Sequence, residues 1–379
     1  MKIWVIGRNY PDKTNKMCGS FELDQAKMLA KSGHDVCYIS CVFHPVYKVK
    51  KWGFCDWQDD SVHVYAYSQI FFPQRFRFYF DKFKTKKWKK LLGKVENEQG
   101  KPDIVHVHFP TMITNADVLA YLKKKTRLIF ATEHWSNVML QKLNAHELSQ
   151  LQFYVENADG FISVSQPLSE SVRKLTGTRK KLYVIPNMVS SDFNKKPVNH
   201  EGFRFISVGR LISIKQFDKI IRAFAKAFQG KDAITLTIVG GGIQFGNLNK
   251  VINELGISSQ VVLTGTLDHQ HTAEKINNSD VLVSFSRSET FGVPIIEGWY
   301  CGLPVISSNA IGFTELWNDS LGYLIPYNDE DALFSSMQQI YQNYDSYNKE
   351  EIKRFAKEHF SEATISKQLN DLYQSFDIS

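Results

Sequence analysis

The chain alternates short apolar runs with helical patterns, and it starts that alternation twice. Lys2 to Ile6 reads as a strand. Phe21 to Lys31 reads as a helix with Leu23, Ala26, Leu29 and Ala30 on one face, Gly33 as its stop, and Asp35 to Ser40 as the next strand. Further apolar runs lie at Asp103 to Val107, Arg127 to Thr132, Gly160 to Val164 and Leu182 to Ile185. The pattern restarts at Phe203 to Val208, with strands near Ala233 to Val239, Gln260 to Leu263, Asp280 to Phe285 and Pro304 to Ser307. Strands this apolar, separated by helices, imply parallel sheets covered on both faces. The prediction is an α/β protein of two doubly wound domains facing an interdomain cleft, with a ligand gripped from both sides. The polar stretch Lys195 to Gly202 predicts the linker. It divides a first domain, 1–195, from a second, 203–360, and a C-terminal helix at about 361–379 packs back on the first.

A length of 379 residues suits two such domains, and 43% hydrophobic with 22% charged residues excludes disordered and collagen-like chains. No apolar run approaches the roughly 20 residues of a membrane-spanning helix, and the N-terminus reads as a buried strand rather than a signal peptide. A cytoplasmic location is expected. The five cysteines are scattered without a CxxC pair, which suggests reduced thiols rather than a disulfide framework or a zinc site. The formal charge of +7 is uneven: residues 1–200 carry 31 basic and 18 acidic residues, a net +13, and the remainder carries −6. The basic half suits an anionic partner, whether nucleic acid, acidic lipid or a phosphorylated substrate.

The densest chemical signal is Ser288-Glu289-Thr290-Phe291-Gly292-Val293-Pro294-Ile295-Ile296-Glu297, directly after an apolar strand. Pro294 suits the first position of a helix, so the N–H groups around Phe291, Gly292 and Val293 point from a strand-to-helix turn toward an anion such as a diphosphate. Glu297, in the first turn, can accept two hydrogen bonds from a ribose diol, and Glu289 can accept them from sugar hydroxyls. After another apolar strand come Gly209-Arg210-Leu211-Ile212-Ser213-Ile214-Lys215, where Arg210 offers a planar fork and Lys215 a point charge to a departing pyrophosphate.

Taken together, these residues resemble the retaining nucleotide-sugar glycosyltransferases of family 4, which have the GT-B fold of two Rossmann-like domains. The resemblance spans nearly the whole chain. It includes the Gly19 loop, Asp103 to His108, Thr132-Glu133-His134, Ser163 to Ser165, Val184 to Asn187, Gly209 to Leu211, Glu289 to Glu297 and Cys301 to Ile306. It implies catalytic roles for Arg210, Lys215, Glu289 and His134, the last near the reacting carbon, and donor contacts from Gly19, Phe291, Gly292, Val293 and Glu297. It further implies a hexosyltransferase acting without metal or cofactor. The donor is expected to be a UDP-sugar, and the acceptor a lipid-linked or growing glycan of bacterial capsule or exopolysaccharide. A nucleotide-sugar epimerase or hydrolase and a non-catalytic partner subunit are the alternatives.

The chain departs from that pattern at Gln216, where glycine is usual, at Trp299-Tyr300, where small residues are usual, and at Ile311-Gly312, where a double glycine is usual. His106 and His108 read as core histidines, and Asp329-Glu330-Asp331 as a helix N-cap rather than a metal site. Gln69 to Lys94 holds nine basic residues against the single acid Asp81, interleaved with aromatics and leucines that include Phe83, Trp88, Leu91 and Leu92. That pattern predicts an interfacial helix on anionic membrane, making the enzyme peripheral on the inner membrane face. No groove-reading motif points to nucleic acid.

Overall fold

The computed structural model describes residues 1–11, 19–44, 52–70, 77–194 and 200–376. The expected linker residues 195–199, together with Cys18, Arg75 and Phe76, lie outside the described residues. The chain divides into two compact units, Met1–Pro186 with Ser366–Ser379, and Asn187–Ile365.

The first unit runs β1 (Lys2–Ile6), α1 (Ser20–Lys31), β2 (Asp35–His44), β3 (Gly53–Asp59), β4 (Val62–Ile70), α2 (Arg77–Gln99), β5 (Ile104–His108), α3 (Pro110–Ile113), α4 (Ala116–Leu122), β6 (Leu128–Glu133), α5 (Ser136–Met139), α6 (Ala145–Asn157), β7 (Gly160–Ser163), α7 (Gln166–Thr176) and β8 (Leu182–Val184). Its sheet has the order β3-β4-β2-β1-β5-β6-β7-β8. Every pairing is parallel except β3 with β4, a hairpin closed by Asp60-Ser61 with Asp60 at φ 51°. Sequence periodicity missed this hairpin: β3 mixes apolar with polar residues, while β4 carries the buried run Val64 to Tyr67. β1 and β5 are buried along almost their whole length, as strands covered on both faces must be.

The second unit runs β9 (Phe203–Val208), α8 (Phe217–Phe228), β10 (Ile234–Val239), α9 (Phe245–Glu254), β11 (Val261–Leu263), α10 (His269–Asn277), β12 (Val281–Ser284), α11 (Val293–Tyr300), β13 (Val305–Ser308), β14 (Gly322–Ile325), α12 (Glu330–Gln342) and α13 (Lys349–Phe360). Its six strands are all parallel, in the order β11-β10-β9-β12-β13-β14. The core packs Phe205, Phe224 and Phe228 against Ile220, Ile221, Leu236, Leu333 and Met337. Helix α14 (Glu362–Ser375) follows, and its later part belongs to the first unit: Tyr373 lies against Phe130, and its hydroxyl bonds His106 Nδ1 at 2.5 Å.

The wound order reverses beside β9 in one sheet and beside β1 in the other. In doubly wound sheets the ligand crevice opens at the carboxyl ends of the strands flanking such a point. In the second unit those strands are β9 and β12, and the two chemical motifs are the loops that leave them.

Candidate functional site

After β9 the chain makes a single 3-10 turn, Ser213–Lys215, and passes through Gln216 into α8. The N–H of Arg287 donates to Ile214 O at 2.8 Å, joining this loop to the one leaving β12. Lys215 Nζ then meets Glu289 Oε1 in an ion pair between two side chains that are both largely shielded from water. Ser286 Oγ donates to the same carboxylate oxygen at 2.7 Å, and the Glu289 N–H is held by Ala310 O. Arg210, by contrast, is exposed and makes no ion pair among the described residues.

Gly292 caps α11 at φ 113°, a left-handed position that suits glycine. Phe291 buries its ring against Phe313 and Phe360, so its contribution to a ligand is its backbone. Among the described residues the N–H groups of Phe291, Gly292 and Val293 donate to no protein acceptor. They form a ready anion site at a helix start. Helix α11 begins at Val293, so Pro294 stands second rather than first, and Glu297 lies just past the first turn in which it was expected.

Glu297 is buried, and that burial pushes its carboxyl above the usual carboxylate range while His269 beside it pulls the other way. His269, the first residue of α10, has Nε2 3.9 Å from Glu297 Oε1 and Nδ1 3.5 Å from Asp192 Oδ2. Neither His269 nor Asp192 stands out in the sequence. His269 follows the Asp268 cap outside every motif read from the sequence, and only the packing of α10 on α11 reveals it.

The residues that depart from the family pattern have structural explanations. Gln216 sits at φ 52°, where glycine would be unstrained, and its buried amide donates to Phe285 O at 2.8 Å and Tyr327 O at 2.9 Å. Trp299 is fully buried among Phe313, Trp317 and Phe355 and donates its indole N–H to Leu321 O. Ile311 is buried, and the Gly312 N–H donates to Phe291 O, bracing the anion loop. Asp329 caps α12 by accepting from the Ala332 N–H at 2.8 Å, while Asp331 pairs with Lys226.

In the first unit, Gly19 caps α1 at φ 75°, and a Cβ there would lie 2.2 Å from Asn9 O. His134 is nearly buried, its ring stacked on Phe109 and tilted against Phe21, with Nε2 2.9 Å from His108 Nδ1. The Glu133 carboxylate holds the turn by accepting from the N–H groups of His134 and Trp135, both at 3.0 Å. Arg8 lays its guanidinium 4.3 Å over the Phe109 ring, with Nε 3.7 Å from the buried Glu22 carboxylate. His106 and His108 are core residues, and burial lowers His106 to about 3 and His108 well below the usual histidine value.

The basic segment changes character once folded. Residues 71–76 lie outside the described residues. Along the described part of α2, Trp88, Leu91, Leu92 and Val95 are buried in the first unit, and Lys82, Lys86, Lys89 and Lys90 stand exposed. These four apolar side chains are therefore committed to the core. No described helix is long and apolar enough to cross a membrane.

Two doubly wound units, with open helix-start N–H groups and a shielded Lys–Glu pair at one switch point, define an α/β protein of two Rossmann-like domains. Residues 22–193 match the family model "Glycosyltransferase Family 4", and residues 189–359 match "Glycosyl transferases group 1". The chain belongs to the glycosyltransferases that join these two domains, and its units have their GT-B architecture. It is 26% identical over 242 residues to the N-acetyl-alpha-D-glucosaminyl L-malate synthase of Bacillus anthracis, covering 60% of this chain and 62% of that one. It is 27% identical over 194 residues to the lipopolysaccharide core biosynthesis glycosyltransferase LpsE of Rhizobium meliloti, covering 49% of this chain and 55% of that one. The matches thus span less than two thirds of either relative. Anabaena HepE, solved in complex with UDP and glucose, superposes with a TM-score of 0.73 at 17% identity, over 99% of this chain and 100% of that one.

Proposed function

We propose that the protein is a retaining glycosyltransferase that moves a sugar from a UDP-linked donor to a lipid-linked or growing glycan in bacterial surface polysaccharide synthesis, at the cytoplasmic face of the membrane. The observation that carries this reading is the Lys215–Glu289 pair, 74 residues apart in sequence yet joined beside the open N–H groups at the start of α11. One member suits a phosphate and the other a sugar hydroxyl, so the pair marks where the two halves of a nucleotide sugar would meet. A relative active in lipopolysaccharide core synthesis and a similar fold solved with UDP support the choice of acceptor and donor.

In this reading the bond from the anomeric carbon to the diphosphate breaks as the bond to the acceptor oxygen forms on the same face, and the acceptor hydroxyl proton passes to the diphosphate. Negative charge grows on the leaving group, where Arg210, Lys215 and the N–H groups of Phe291, Gly292 and Val293 can meet it. Glu289 orients the sugar and Glu297 the ribose. These fixed charges supply what a divalent ion supplies elsewhere, so no metal is required. The exposed lysine row of α2 offers an electrostatic hold on anionic lipid.

A screen of nucleotide sugars by thermal shift, followed by transfer and hydrolysis assays with and without EDTA, tests the reading. Transfer that persists in EDTA, with the anomeric configuration kept, is the expected result. Loss of activity in EDTA that manganese restores would overturn metal independence, and release of an isomerised sugar without acceptor would favour the epimerase alternative.

A further inference from the structure

We propose that His269 is a positioning residue for nucleotide binding, holding the Glu297 carboxylate ionised and oriented toward the ribose hydroxyls. The inference rests on the assignment of Glu297 to the ribose and extends it to a residue outside the sequence motifs. Each ring nitrogen of His269 faces a carboxylate, Nδ1 toward Asp192 at 3.5 Å and Nε2 toward Glu297 at 3.9 Å. The approach of Nε2 to Glu297 opposes the effect of burial on that carboxyl. The ring is fixed from a third side by the edge of Phe193, with centroids 4.9 Å apart. Three separate elements, the 3-10 turn Ser191–Phe193, α10 and α11, therefore converge on this imidazole.

A buried glutamate alone drifts toward its neutral form, and a neutral carboxyl gives up part of its capacity to accept from a diol. The other titratable groups nearby do little to offset that. Cys301 lies one turn along α11, with Lys353 of α13 acting on it, and Asp268 is occupied with the N–H and Nδ1 of His271. Asp192 flanks the imidazole at its other ring nitrogen, 3.5 Å from Nδ1. Removing the imidazole should let the carboxyl of Glu297 rise further and carry the loss of nucleotide binding to higher pH.

The test is calorimetry with UDP and with GDP between pH 5 and pH 8 on the wild type and on His269→Gln, Asp192→Asn and Glu297→Gln. Titration of the nucleotide's own phosphates is common to all four proteins and cancels in the comparison. The wild type is expected to lose affinity on acidification, with the midpoint moved up by roughly one pH unit in His269→Gln, by less in Asp192→Asn, and with this phase missing in Glu297→Gln. Asp192 is largely exposed, so its variant still reads the effect if His269→Gln fails to fold. If Glu297→Gln weakens the nucleotide while His269→Gln and Asp192→Asn follow the wild-type profile, the inference is overturned and the ribose assignment stands. If Glu297→Gln leaves nucleotide affinity unchanged, both are overturned.

Discussion

Gln216 occupies a left-handed backbone position and compensates with its side chain, bridging the end of β12 to the loop after β14 through Phe285 O and Tyr327 O. Replacing it by glycine would relieve roughly 1–2 kcal/mol of backbone strain. It would also unpair two carbonyls at roughly 1–3 kcal/mol each, and the second effect is the larger. Gln216→Gly should therefore melt lower than wild type in a thermal denaturation series, and a rise in melting temperature would show that the two hydrogen bonds contribute little. Beside it, Lys215 and Arg210 are assigned to charge that grows during the reaction. Arg210→Ala and Lys215→Ala should each lower kcat by roughly 10² or more while weakening donor binding less. Unchanged kcat in both variants, measured with saturating donor, would remove the pair from the catalytic machinery.

At the scale of elements, the apolar strands of both sheets and the two loops leaving β9 and β12 were legible because continuous burial leaves continuous apolar runs. Arg210, Lys215, Glu289 and Gly292 stood in those loops in plain view. The β3–β4 hairpin and the short β14 were not legible: β3 mixes apolar with polar residues, and β14 offers only Tyr323, Leu324 and Ile325 between polar loops. His269 escaped notice because its meaning arises only where α10 meets α11. In α2 the sequence held two signals, cations and aromatics, that folding pulls apart: Trp88, Leu91 and Leu92 enter the core and the lysines remain outside. Membrane attachment through the exposed lysines of this helix should be electrostatic, and so steeply dependent on salt. Lys82, Lys86, Lys89 and Lys90 changed together to Ser should abolish co-sedimentation with anionic liposomes, as should raising the wild-type sample to about 0.5 M salt, where screening is strong. Binding that survives high salt would instead require apolar insertion by side chains other than these lysines.

At the scale of the whole molecule, buried titratable groups give stability a pH dependence whose sign can be worked out. His106 is held neutral, at about 3 against an ordinary 6.5, because its ring is buried between Tyr373 and Thr132. Its folded value is depressed, so the unfolded chain takes up a proton that the folded chain refuses. The stability it contributes is complete above pH 6.5 and is lost as pH falls from there toward 3. His108 behaves in the same direction. Glu22 and Glu133, buried in the same unit, have raised carboxyl values and act oppositely, contributing stability that is present below 4.5 and lost as pH rises through their folded values. As pH falls, the two histidines and the two carboxyls thus change stability in opposite directions. A single histidine removed from that balance changes the slope by up to about 1.4 kcal/mol per pH unit. Glutamine at position 106 can still bond the Tyr373 and Thr132 hydroxyls but does not titrate. His106→Gln should therefore lose less melting temperature between pH 7 and pH 5 than the wild type, whatever its stability at pH 7. Equal losses in the two proteins would assign the acid sensitivity to groups other than this buried histidine.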